Sequence, residues 1–295
     1  MATVSTPAPA HSPRAVEGRQ AGRSTLGAIL FYALLILFAL FFIMPLAWML
    51  VTSLKPFDEW LSPNWIPRNG SLDNFASVFR DPTLPVTRWF FNSFFIATVF
   101  TGLILFIDSL AAYAYARMEF PGKNVLFSLL LATLVMPGIM FLIPNYLTIA
   151  RLDWLRTYQG VIAPGLSGVF GVFFLRQFFQ SIPREMEEAA YIDGAGIWRT
   201  FFSVVLPLSG GALATLGVIT FLGSWNDFLW PLLIVGSDRQ LQTLPVGLAT
   251  LQGQYTFDYG KLMAGALVVT VPVLVLYLFA QRYIVESIAT TGIKG

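Results

Sequence analysis

Few side chains in this sequence of 295 residues could do chemistry. There is no cysteine, and the single histidine, His11, lies near the start of the chain. Thiolate nucleophiles, disulfides and Cys-ligated metals are therefore excluded, and no metal site is expected. What remains is a handful of polar residues set among apolar ones. Asp108 stands inside the apolar run 90–116, and Trp225, Asn226 and Asp227 are consecutive inside the run 207–235. An Asp at the centre of a bilayer costs roughly 2.5–3.5 kcal/mol on insertion scales, so Asp108 should face a helix bundle or water. It is a candidate for a pathway or gate, and the competing reading is an internal hydrogen bond to a neighbouring helix. An indole beside an amide and a carboxylate can stack on a hydroxylated solute and hydrogen-bond to it. The competing reading of residues 225–227 is packing with satisfied hydrogen bonds.

A second polar group lies in residues 187–196, "EEAAYIDGAG". Ser181 and Pro183 can open a helix there, with Ser as cap and Pro in the first turn. Glu185, Glu187 and Glu188 follow in the first two turns, where the earliest oppose the helix dipole favourably. Gly194 is a C-terminal stop able to take positive φ. A second short helix is expected over 197–205, ending before Pro207. Ala189 and Ala190 would let another surface approach closely, with Glu188 and Asp193 at the rim. The segment reads either as a handle gripped by another protein or as a solvated amphipathic helix.

Both groups must be positioned by apolar elements. The chain is 56% hydrophobic and 12% charged, where a soluble domain has about 25% charged residues. Six stretches are long enough to span a bilayer as helices: 26–51, 90–116, 125–150, 160–179, 207–235 and 261–283. Pro137, Pro144, Pro164, Pro231 and Pro272 fall within them, which suits a bundle of kinked helices. The first run is too long for a signal-peptide core and has no small-residue cleavage site after it. The expected architecture is all-α, with about six transmembrane helices and a helix–turn–helix between spans four and five. Residues 1–25 form a disordered tail, 26–284 the membrane domain with the polar loop at 180–206, and 285–295 a second tail. With an even number of spans, both tails and that loop share one side; the Lys/Arg balance favours the cytoplasm by a small margin. Residues 52–88 read as an interfacial lid and 236–260 as a long polar loop. The formal net charge of +2 does not suggest nucleic acid.

Counted from Glu188, the pattern is Glu-Ala-Ala, three residues, Gly194, nine residues, Val204, one residue, then Leu206-Pro207. This resembles the coupling motif of permease subunits of bacterial ATP-binding-cassette importers, which usually carry Ile in place of Val204. "EEAAYIDGAG" is more specifically similar to the carbohydrate-uptake branch related to the maltose permease. "TSLKP", "NSFFIA", "AAYAYARMEFPGK", "WNDFLWPLL" and "QRYIVESIATTGIKG" agree, with Ser287 where the family often has Gly. The resemblance covers nearly everything after residue 25.

The resemblance implies a non-enzymatic transporter subunit in a bacterial or archaeal cytoplasmic membrane. It would form half of a pathway with a second permease, as a heterodimer. Two ATPase subunits would carry ATP and Mg, and an extracytoplasmic binding protein would deliver a sugar. Glu187, Glu188, Ala189, Ala190, Asp193, Gly194, Gly196, Leu206 and Pro207 would couple to the ATPases. Gly292, Lys294 and Gly295 in the tail would contact the same pair. Tyr255, Phe257 and Tyr259 would reach the binding protein, and Asp108, Trp225, Asn226 and Asp227 would face the pathway. The chain itself has no G-x-x-x-x-G-K-[ST] phosphate loop, so its drive must come from a partner. A permease for another solute, such as a phosphorylated polyol, is the nearest alternative. A secondary transporter would want an inverted repeat and coupled ionisable groups in its spans. A membrane enzyme ranks behind both.

Overall fold

In a bilayer every backbone N–H and C=O needs a partner within the protein, and a helix supplies those partners from its own segment. The computed structural model of the chain describes residues 25–254 and 258–292, and the regular elements among them are all helical. The chain divides into two units, Met1–Ala47 and Trp48–Gly295. The described part of the first unit belongs to α1 (Thr25–Ser53), an apolar helix containing Pro45.

The second unit is organised on one long helix. After the short α2 (Asp73–Arg80) comes α3 (Val86–Arg117), whose 32 residues reach about 48 Å, more than the roughly 30 Å of a hydrocarbon core. There follow α4 (Lys123–Thr133), α5 (Leu142–Arg151), α6 (Tyr158–Ile162), α7 (Phe170–Ser181) and α8 (Arg184–Ile192). The remainder are α9 (Ile197–Thr200), α10 (Leu206–Leu208), α11 (Gly210–Asn226), α12 (Leu229–Val235), α13 (Leu244–Gln254) and α14 (Tyr259–Gly292).

Three apolar clusters all include α3. Near its C-terminal end Ala112, Tyr113 and Ala116 pack with Val172, Leu175 and Phe179 of α7 and with Phe201, Val205, Ala212 and Leu216. Near its N-terminal end Trp89 and Ala97 pack with Val78, Trp225, Leu244 and Ala264. On a third face Ile96 meets Ile149, Val161, Ile162, Ile234 and Val235. An element shared by three clusters cannot shift without disturbing all of them, since packed interiors transmit strain.

By length and composition α1, α3 and residues 259–279 of α14 can each cross a membrane, and three bent pairs bring the number to six if each pair is one span. Residues 123–133 and 138–151 meet at 94°, 158–166 and 170–181 at 48°, and 197–208 and 210–226 at 77°. The kink expected in the span 125–150 is thus a sharp break. Pro137 is extended there, and proline disfavours the helical region for the residue before it. The expected span 207–235 is also interrupted: it takes in the end of α10, then α11 after the 77° bend, and α12 beyond Asp227.

Residues 52–81 form a folded module where a lid was expected. Lys55 is fully buried; its Nζ donates to Ser62 O at 2.7 Å and sits 4.2 Å from the Trp48 ring centroid. Asn74 Nδ2 donates to Ser53 O and Lys55 O, and Trp60 Nε1 donates to Lys55 O. A 2.7 Å ion pair from Lys261 to Asp81 ties the start of α14 to the same module. Trp60 and Trp89 are buried packing residues, not interfacial anchors.

Candidate functional site

The segment 181–209 forms the expected helix–turn–helix, with two differences. Ser181 is the last residue of α7 and its Oγ donates to Phe178 O, so it does not cap α8. The extended Pro183 begins α8 instead. The end of α8 follows the expectation: Gly194 has φ +79°, Gly194 N donates to Tyr191 O at 3.0 Å and Ala195 N to Ala190 O at 2.9 Å. These two bonds, with a left-handed glycine between them, make a Schellman stop. The second helix does not end before Pro207. A π-helical stretch, Phe201–Val205, follows α9 and continues into α10 as far as Leu208. Widening the turn there lets a residue without an N–H be carried in the helix.

The exposed surface of this segment comprises Glu188, Ala189, Asp193, Gly194 and Gly196, with Ala190 half-buried. Met186, Tyr191, Ile192, Ile197 and Trp198 are also exposed, and Ile192 retains 87% of its surface. A run of large apolar residues bordered by acids is the composition of a docking surface. Leu206 is half-buried and Pro207 exposed. Glu187 departs from the expected set. It is the only buried residue of α8, and it forms a 2.5 Å ion pair with Arg117. Its partners on α3 turn it into the protein, so it cannot belong to the exposed docking face.

A cavity of about 410 Å³ lies at the other functional group. Its walls come from α3 (Ile96, Phe100), α5 (Leu142, Asn145), α6 (Val161), α11 (Gly223, Ser224) and α12 (Trp230, Pro231), together with Asp227. Asp227 follows the last residue of α11, and its carboxylate lies beside the backbone N–H groups of Phe228, Leu229 and Trp230 at the start of α12. The start of a helix is a favourable place for an anion. Asn145 and Ser224 add neutral polar groups, and Trp230 Nε1 donates to Gly160 O and Val161 O, which fixes its ring. Trp225, expected to face the pathway, does not line this cavity. It is 2% exposed, stacked on Phe221 at 5.9 Å and edge-on to Phe90 at 5.7 Å. Asn226 is exposed and its Nδ2 donates to Leu222 O. Of residues 225–227, only Asp227 reaches the cavity: it leaves α11 with extended backbone, while Trp225 and Asn226 are still held in the helix.

Asp108 is 2% exposed and does not line the cavity either. It faces Gly171 of α7, where an added Cβ would overlap the carboxylate and come within 3.0 Å of Leu216. The contact reads as helix packing, with the glycine making room for the acid. Asp108→Asn is accordingly expected to leave assembly and uptake near the parental level. Gly171→Ala should lower thermal stability by about 1–3 kcal/mol through overpacking, and Asp108→Ala in the same chain should return part of that loss. A Gly171→Ala variant melting with the parent would refute this packing.

The sequence comparisons decide the family. Residues 109–288 match the model described as "Binding-protein-dependent transport system inner membrane component". The arabinooligosaccharides transport system permease protein AraQ of Halalkalibacterium halodurans is 37% identical over 258 residues, 86% of this chain and 91% of that protein. The chain belongs to the family of binding-protein-dependent transport system inner membrane components. The trehalose/maltose transport system permease protein MalG of Thermococcus litoralis is 32% identical over 88% of this chain and 94% of its own length. A crystal structure of a bacterial ABC transporter involved in import of the acidic polysaccharide alginate superposes with a TM-score of 0.78 at 22% identity, covering 94% of this chain and 99% of that one. The likeness is one of fold. This protein is thus a multi-pass permease subunit of an ABC importer, and family members of this kind are transporter subunits rather than enzymes.

In this permease the two ends of α3 hold different things. Arg117 meets α8 at one end. At the other, Trp89 Nε1 donates to Arg239 O at 2.8 Å, and Asn92 Nδ2 donates to Gln240 O and Gln242 O. Leu244 N donates to Ser93 Oγ at 2.8 Å. Trp89 and Arg117 are about 42 Å apart at helical rise, so the segment 236–246 and α8 lie at opposite ends of the bundle. The first half of the expected polar loop is therefore strapped down: Gln242, Thr243, Leu244 and Val246 are all buried. Tyr259 opens α14 and is exposed. Tyr255, Phe257, Lys294 and Gly295 lie outside the described residues, and Gly292 is the last residue of α14. Reading the sequence missed Arg117, Asn145 and Trp230. Arg117 alone left a signal, as the one cation closing the long apolar run of α3.

Proposed function

We propose that this permease imports a sugar or oligosaccharide, with the cavity at Asp227 belonging to its pathway. It forms half of that pathway with a second, non-identical permease. Two ATPase subunits, carrying ATP and Mg, grip the exposed face of α8 and the turn at Gly194, and the C-terminal tail contacts the same pair. An extracytoplasmic binding protein delivers the solute at the end of α3 that carries Trp89, and Tyr259 is one of its contacts. The observation that carries the solute class is the cavity lining. Among the described residues it combines a carboxylate, an amide, a hydroxyl and an indole with no Lys or Arg, which suits neutral hydroxyls and disfavours a phosphorylated polyol. The oligosaccharide and trehalose/maltose permeases among its relatives support the same class.

Reconstitution tests this reading. Vesicles holding both permeases and both ATPases should take up a labelled oligosaccharide only with ATP and the loaded binding protein. Asp227→Ala should reduce uptake by about tenfold, the loss of one hydrogen bond to a charged group, with ATPase association unchanged. Parental uptake by that variant would remove the cavity from the pathway.

The membrane placement has its own check. Six spans with both ends and α8 in the cytoplasm put Ser181 and Ser237 on opposite sides. The chain has no native cysteine, so single Ser181→Cys and Ser237→Cys variants give unambiguous labels. An impermeant thiol reagent added to intact cells should label the second and not the first; labelling of both from outside would refute the topology.

A further inference from the structure

We infer that Arg117 and Glu187 form the joint through which movement of α8 is delivered to α3. The helix α8 has little else to hold it. Its sole buried residue is Glu187, while Glu185, Met186, Glu188, Ala189, Tyr191 and Ile192 are exposed. A helix without a buried apolar stripe is not fixed by hydrophobic packing, which is what holds most helices in place. Its buried attachment is one carboxylate whose two oxygens have partners on the same helix: Oε1 pairs with Arg117 Nε at 2.5 Å, and Oε2 accepts from Tyr113 Oη at 3.3 Å, while Tyr191 of α8 also reaches the Tyr113 hydroxyl. Tyr113 and Arg117 are four residues apart, so they share one face of α3.

The guanidinium is itself fixed on a second side. Arg117 Nη2 donates to Ile182 O at 2.7 Å, at the residue that ends α7. One planar fork thus joins the end of α3, the end of α7 and the first turn of α8. The Arg117 and Glu187 side chains are 9% and 6% exposed, so water neither screens the pair nor competes strongly for it. Tyr113 is held against Phe201 at 5.0 Å between ring centroids, which extends the joint to the π-helical stretch after α9. Apolar contacts are non-directional and can slide. A buried ion pair flanked by the directional bonds from Arg117 Nη2 to Ile182 O and from Tyr113 Oη to Glu187 Oε2 resists sliding and can convey a pull. The receiving element, α3, belongs to all three apolar clusters and straps residues 239–244 at its far end. Arg117 and Glu187 are therefore positioning residues for coupling, distinct from the exposed face that would meet an ATPase.

This inference rests on α8 being the ATPase-docking helix, and the test keeps the two apart. The full transporter is purified and reconstituted with Glu187→Gln, Arg117→Gln, Arg117→Lys, and the exchange Arg117→Glu with Glu187→Arg. ATPase co-purification reads docking, and solute taken up per ATP hydrolysed reads the joint. The Gln variants are expected to keep their ATPase subunits and hydrolyse ATP, with uptake per ATP about tenfold lower, a typical coupling free energy. Arg117→Lys keeps the charge and loses the fork, so it should fold and still show a lowered ratio. The exchange should return most of the ratio. A parental ratio in Arg117→Lys and in Glu187→Gln would overturn the joint. Loss of ATPase subunits from Glu187→Gln, unrepaired by the exchange, would also overturn it by making Glu187 a docking residue. Failure of the docking reading looks different: the ATPases would then stay bound when the exposed Ala189 is replaced by Trp.

Discussion

Transporter complexes carrying Gly194→Val or Ala189→Trp are expected to lose their ATPase subunits during purification and to show no ATP-driven uptake. The two changes act on one surface by different routes. Gly194 sits at φ +79°, and its N–H and that of Ala195 close the end of α8 onto Tyr191 and Ala190. A β-branched residue held there costs about 1–3 kcal/mol, so the turn would open and the chain leading to Trp198 would leave by another direction. Space is not the issue, since nothing lies within 4 Å of the position a Cβ would take. Ala189 is exposed and small, so an indole in its place fits the isolated subunit and collides only with something docked on it. Neither position lies in an apolar span, and membrane insertion should be unaffected. Protease protection and yield report insertion, while co-purification reports docking. Retained ATPase subunits and parental uptake in both variants would mean that this face is merely solvated.

Trp89→Ala is expected to have the largest effect on stability. The side chain is 1% exposed, its Nε1 donates to Arg239 O at 2.8 Å, and its ring fills the space over Gly247. Truncating a buried Trp to Ala costs about 3–5 kcal/mol, and here it also orphans one end of the strap at residues 239–244. Gly247→Leu should act on the same contact from the other side, because any Cβ there enters the indole ring. Melting of the purified complex followed by size-exclusion fluorescence measures both. Trp89→Phe keeps much of the volume and loses the hydrogen bond, so it should fall between parent and Trp89→Ala. Melting of Trp89→Ala within a degree or so of the parent would show that the strap contributes little.

The part of this molecule legible in the sequence is the part governed by local rules. Apolar runs of sufficient length lie where the long helices are, and Gly194 takes the left-handed conformation expected of a helix stop. The spacing from Glu188 to Pro207 pointed to the family that the comparisons show. Local rules failed where neighbours decide. Ser181 looked like a cap, yet α7 runs through it. Pro207 looked like a terminator, yet a π-helical stretch carries it.

The sequence by itself determined that this is an all-α membrane protein with an interrupted polar handle, because burial of backbone in lipid allows few solutions and glycine and proline act within a turn. Only the tertiary structure decided which carboxylate does what. Glu187 and Glu188 are adjacent and chemically alike, yet the first is paired with Arg117 and the second is exposed. Trp225 is buried against Phe221 and Phe90 while Trp230 takes its place on the cavity beside Asp227. Asp108 is matched to Gly171 on a helix more than sixty residues away in the chain. Adjacent helical residues differ by about 100° in direction, and which direction is inward is set by the helices that pack there, not by the residues themselves.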